Sequence, residues 1–187
     1  MRKTFLSMLL LSFVVLTIAA VPAHAQGGTV RATLQGFEEV PAIYTPAASG
    51  QFTARINGQG TEVTYTLTYS NLRGNATQSH IHFGQKGVNG GIVVFFCSNL
   101  GNGPAGTPAC PAKSGTLTGT ITASNVLGVT AQGISPGQLE AIVTALRSGV
   151  AYVNVHSDLF PGGEIRGQVN FTRRNKSGEP DEEDDSN

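Results

Sequence analysis

The chain has 187 residues, 12 basic and 12 acidic side chains, a formal net charge of zero and 40% hydrophobic residues. Its basic residues are scattered and form no stripe, which disfavours nucleic-acid binding. The length suits one folded body with a substantial core, not a multidomain machine.

Arg2 and Lys3 open the chain with positive charge, and an apolar run follows from Phe5 to Val21. Pro22-Ala23-His24-Ala25 then places small residues at the positions a signal peptidase reads. Residues 1–25 are therefore expected to be a signal peptide cut after Ala25, and the mature protein to be secreted or periplasmic. The alternative is an uncleaved anchor, because the run is nearly long enough to span a bilayer. No later apolar stretch approaches that length, so no membrane span is expected after cleavage.

Residues 26–174 read as one β domain. Phe52, Ala54 and Ile56 alternate with Thr53 and Arg55, and Val63, Tyr65, Leu67 and Tyr69 alternate with threonines. This period-2 pattern predicts two half-buried strands joined at Asn57-Gly58-Gln59-Gly60. His80-Ile81-His82 lies on a further predicted strand. Ile92 to Cys97 is continuously apolar, which predicts a central strand buried on both faces. Cys97 and Cys110 are the only cysteines, and export makes a disulfide the default; a metal-ligating thiolate pair is the rival.

Leu117 to Thr122 is another predicted strand. Ser135, Pro136 and Gln138 carry start signals for one short helix over about residues 136–148, with Leu139, Ile142, Val143 and Leu146 on one face and Gly149 as its stop. Ala151 to His156 and Glu164 to Thr172 form a closing strand pair. About eight short strands separated by Gly, Pro and Asn predict an all-β, antiparallel Greek-key sandwich or barrel. Glu179 to Asp185 holds half of all the acids and no apolar residue, so residues 175–187 are expected to be a disordered acidic tail.

Three histidines remain after cleavage: His80, His82 and His156. Residues two apart on a strand share a face, so His80 and His82 project together about 6 to 7 Å apart. Tyr152, Asn154 and His156 take the face opposite Ala151, Val153 and Val155. If all three histidines stand on polar faces, they can converge as nitrogen ligands for a single copper or zinc ion. The plainer alternative is that they hydrogen-bond Glu164, Arg166 or nearby backbone. Gly167 in mid-strand predicts a bulge or a close backbone approach. Arg166 can pair bidentately with Glu38 or Glu39, and Glu164 shares its face, which suggests a structural clamp. No nucleophile elbow or phosphate loop is present, and no catalytic residue is assigned.

Three segments together resemble the CHRD domain, named after chordin. They are Leu34-Gln35-Gly36-Phe37-Glu38-Glu39-Val40-Pro41, Ser79-His80-Ile81-His82-Phe83-Gly84, and Tyr152 to Ser157 followed by Pro161 to Val169. They occur in the family's order over about residues 29–172. One departure is Gln85-Lys86, where the family commonly has a Pro-Ala pair. The resemblance implies a secreted or cell-surface β domain without established catalysis, acting as an interaction or structural domain toward an extracellular protein or surface partner. A weaker similarity is to Cu/Zn superoxide dismutase. Its dinuclear site needs more histidines than remain here, so at most a mononuclear metal site is expected.

Overall fold

The structure is a computed structural model and describes residues 27–174; the expected signal peptide and acidic tail lie outside the described residues. Nine strands form two antiparallel sheets: β1 (Gly28–Leu34), β2 (Ser49–Ile56), β3 (Val63–Ser70), β4 (Ala76–Phe83), β5 (Gly91–Ser98), β6 (Gly115–Ile121), β7 (Ala151–Ser157), β8 (Ile165–Gln168) and β9 (Asn170–Arg173). The first sheet runs β6-β3-β2-β1-β9 and the second β5-β4-β7-β8. The chain crosses between sheets after β3, β5, β6 and β8, giving an all-β sandwich. Among the described residues, no helix is long and apolar enough to cross a membrane.

The alternation read in the sequence builds the core. Phe52, Ala54, Ile56, Val63 and Leu67 of the first sheet are buried, as are Ile81, Val153, Val155 and Ile165 of the second. Phe96 crosses between them, with ring centroids 5.4 Å from Phe52 and 4.5 Å from Tyr65. Such tilted aromatic pairs add to the area they bury.

Three elements differ from the sequence reading. The Ile92–Cys97 run is β5, an edge strand rather than a central one. Two register shifts in its pairing with β4 break strict alternation, turning successive apolar residues inward. Its free edge is partly covered by the β6–β7 connection, where Leu127 N–H donates to Val93 O at 2.9 Å. The Glu164–Thr172 segment is two strands, with β8 in the second sheet and β9 in the first. The expected bulge or close approach at Gly167 is the latter: a Cβ there would sit 2.4 Å from Thr33 O of β1.

The helix, α1, spans Leu139–Arg147 rather than 136–148. Gly137 adopts a left-handed φ of 80°, which stops the helix from extending back to Pro136. Only the return half of the expected box forms, with Ser135 N–H donating to Gln138 Oε1 at 3.0 Å. The apolar face of Leu139, Ile142, Val143 and Leu146 is buried, and Gly149 ends the helix at φ 69°.

Candidate metal centre

Register on the second sheet decides which side chains meet. Across β4 and β7, Gln78 faces His156, His80 faces Asn154 and His82 faces Tyr152; across β7 and β8, Asn154 faces Arg166 and Tyr152 faces Gln168. Directly opposed residues share a face. Since Ile81, Val153 and Val155 point into the sandwich, this polar set occupies the other side.

That side is not solvent. His80 is 0% exposed, His82 and His156 are each 7% exposed, and Asn154, Tyr152 and Arg166 are equally enclosed. Two connections cover them. Arg166 binds the 84–90 loop, donating to Val88 O (2.9 Å), Gln85 O (3.3 Å) and Asn89 Oδ1 (3.2 Å). Gly90 N–H donates to the Tyr152 hydroxyl at 3.2 Å. The turn around Pro161 closes over His156.

The three rings form a triangle, with centroids 5.3 Å (His80–His82), 5.1 Å (His80–His156) and 6.2 Å (His82–His156) apart. One nitrogen from each lies within 4.8 Å of the other two. His82 Nδ1 stands 2.9 Å from Gly90 O, and His156 Nδ1 stands 2.9 Å from Pro161 O. A carbonyl only accepts, so both Nδ1 atoms carry the proton and both Nε2 atoms present a lone pair. Neither Nε2 has a hydrogen-bond partner among the described residues, nor does either nitrogen of His80.

Protonation does not resolve this. Burial, opposed by the Gly90 carbonyl, pushes His82 down to about 4. Burial and the neighbouring His156 and His82 push His80 down to about 2. Burial also lowers His156. All three rings are neutral at pH 7. Phe95 stands edge-on to His80 at 4.3 Å, and Tyr152 stacks on His82 at 4.6 Å with planes 3° apart. The Arg166 guanidinium carbon lies 3.5 Å from the centre of the Tyr152 ring, a cation–π contact that holds that ring in place.

The clamp is arranged differently from the sequence expectation. Arg166 makes no ion pair with Glu38 or Glu39 within 4.0 Å; its donors are taken by the 84–90 loop. Glu38 pairs instead with Lys86 at 3.2 Å on the surface. Glu164 is fully buried and accepts from Arg73 N–H (2.6 Å) and Gly74 N–H (3.2 Å), closing the β3–β4 connection. Glu39 is buried above the histidine face. Burial raises its carboxyl to about 7 against the opposing pull of Arg166, the Val40 N–H and the Asn154 amide. Cys97 and Cys110 are joined by a disulfide at the far side of β5.

Tyr152 and Asn154 carry no role in the sequence reading beyond sharing His156's face. That shared parity was the available signal. The carbonyls of Gly90 and Pro161 left no trace in side-chain chemistry.

The fold and site together define an antiparallel β-sandwich with a sealed three-histidine cluster on the back of one sheet. The CHRD domain family model matches residues 30–169, and the chain belongs to that family. No curated protein and no solved structure matches the chain.

Proposed function

We propose that this CHRD domain is an exported protein that binds a single copper or zinc ion through His80, His82 and His156. The observation that carries the reading is the convergence of buried, unpartnered imidazole nitrogens. An unsatisfied buried polar atom costs roughly 1–3 kcal/mol. Four such nitrogens at one point form an expensive cluster unless a cation joins them. The bonds from the two Nδ1 atoms to carbonyls are the outer contacts that fix tautomer and ring orientation in histidine metal sites. Two nitrogens on one ion at 2.0–2.1 Å lie at most about 4.2 Å apart, so the rings draw together by up to roughly 1 Å on binding. All-imidazole donation suits copper and zinc. Export is supported by the leader-like residues 1–25 and by a disulfide, which persists in oxidising compartments.

The test is metal analysis of the mature protein expressed into the periplasm, beside His82→Ala and His156→Ala. One equivalent of copper or zinc is expected in the parent and a loss of at least most of it in each variant. Unchanged content in both variants would sink the reading.

An interaction role retains one specific observation. Phe37 and Tyr44 are 61% and 71% exposed and lie 6.0 Å apart, an aromatic pair offered to an extracellular partner. It occupies the surface and is compatible with a metal beneath.

A further inference from the structure

Resting on the metal reading above, we propose that the Asn154 side-chain oxygen is the fourth donor of the three-histidine centre and that Glu39 is the positioning residue that aims it. The Asn154 NH2 group is the donor that its hydrogen bond to the Glu39 carboxylate uses, and its Oδ1 is buried with no partner. The His82 proton is already committed to Gly90 O through Nδ1. The His82 Nε2 lone pair is therefore left over. Asn154 Oδ1 and His82 Nε2 are both buried and both without a hydrogen-bond partner. Unpaired acceptors on one dry face repel, and a shared cation would convert that repulsion into bonds.

Register supports the same assignment. Asn154 is directly opposite His80 and two residues from His156 on β7, so its oxygen belongs to the same patch as all three ring nitrogens. Glu39 is seated by Gly163: a Cβ there would come within 2.4 Å of Glu39 Oε1, so only glycine at this φ of 130° leaves room for the carboxylate. The Pro161-Gly162-Gly163 turn thus serves the centre twice, through the Pro161 carbonyl on His156 and through the seat of Glu39.

The resulting set is three neutral nitrogens and one neutral oxygen, with a single carboxylate outside it for charge. A hard amide oxygen favours a divalent ion, zinc or copper(II), over copper(I), which soft ligands select.

The experiment loads the mature protein with zinc and, separately, cobalt(II), and measures stoichiometry, affinity by chelator competition and the cobalt d–d spectrum. Asn154→Ala should still take one ion, bind zinc about 10–100-fold more weakly, as metal-site hydrogen-bond partners typically do at minimum, and shift the cobalt bands. Glu39→Gln should weaken binding with a smaller spectral change. Parental affinity and spectrum in Asn154→Ala would overturn the assignment while leaving the histidine reading intact. Failure of the parent to bind either ion would overturn both. Should Asn154→Ala not fold, the isosteric Asn154→Asp decides: a carboxylate donor should tighten zinc binding, and equal or weaker binding counts against Asn154 as a ligand.

Discussion

At the level of single residues, the histidines behave as buried neutral groups, and that has a consequence for acid stability. In the unfolded chain each takes a proton near pH 6.5. In the metal-free fold His82 resists protonation down to about 4 and His80 to about 2. Their contribution is fully present above pH 6.5 and is lost as pH falls toward those lower values, because the unfolded state then binds the extra protons. Glu39 acts in the opposite sense. Its carboxyl is raised to about 7, so the fold holds one more proton between about 4.5 and 7 and loses stability as pH rises through that range. Three histidines outweigh one carboxyl. Between pH 6 and 5 the unfolded chain holds about one more proton than the fold through His80, His82 and Glu39 together, a slope on the order of 1 kcal/mol per pH unit, and the lowered His156 adds to it in the same direction. Thermal melts of the chelator-treated protein should therefore show a falling Tm from pH 7 to 5. A flat or rising Tm would mean that the rings are not buried neutral. His80→Gln should flatten part of the slope, since it removes the group most resistant to protonation.

At the level of elements, the hairpins were legible because their alternation is local. Phe52–Ile56 and Val63–Tyr69 pair in the register their patterns imply, from Ser49 opposite Ser70 to Ile56 opposite Val63. The helix face was equally plain, yet its first turn was not, because one left-handed glycine outweighed three start signals. Strand β5 misled for a different reason. An apolar run looks the same whether it is central or an edge strand with irregular pairing, and only the partner's register distinguishes them. The disulfide follows from this edge position. It ties the end of β5 to the loop before β6, and Asn99 already organises that loop, donating from Nδ2 to Ala76 O and Cys110 O and accepting from Cys110 N–H. Closing a loop of this length contributes on the order of 3 kcal/mol. Since the packed core of Phe52, Leu67, Ile81 and Val153 lies elsewhere, reduction should lower Tm by several degrees and leave a folded sandwich. Circular dichroism of the reduced, alkylated protein checks this; a chain unfolded at room temperature would show that the core does not stand alone.

At the level of the whole molecule, the histidine cluster is sealed from one side by β-sheet and from the other by two connections anchored on the histidines themselves. The sequence placed His80, His82 and His156 on faces of strands but carried no information on what covers them, since the 84–90 loop and the Pro161 turn reach the rings through backbone carbonyls. On the proposed metal reading, those anchors would make a bound ion a fastener of loops more than of strands. The strands already hold each other by continuous pairing across β5-β4-β7-β8. The loops lack such a ladder and hold by individual bonds, among them Arg166 to Gln85, Val88 and Asn89, Gln168 to Gly84, Asn89 to Val40, Asp158 to Asn75 and the two histidine Nδ1 contacts. A ligand that binds only the folded state stabilises by mass action, about 2.7 kcal/mol at a hundredfold excess over Kd. That gain should appear locally as well as globally, because connections outside the strand ladders open below the global unfolding limit. Hydrogen exchange with and without one equivalent of zinc should show new protection at residues 84–90 and 158–163, while β2, β3 and β6 of the opposite sheet change little. His156→Ala should erase the effect at 158–163. Uniform protection across both sheets would place the metal's effect on global stability alone, and no protection at either loop would separate the cluster from the loops that enclose it.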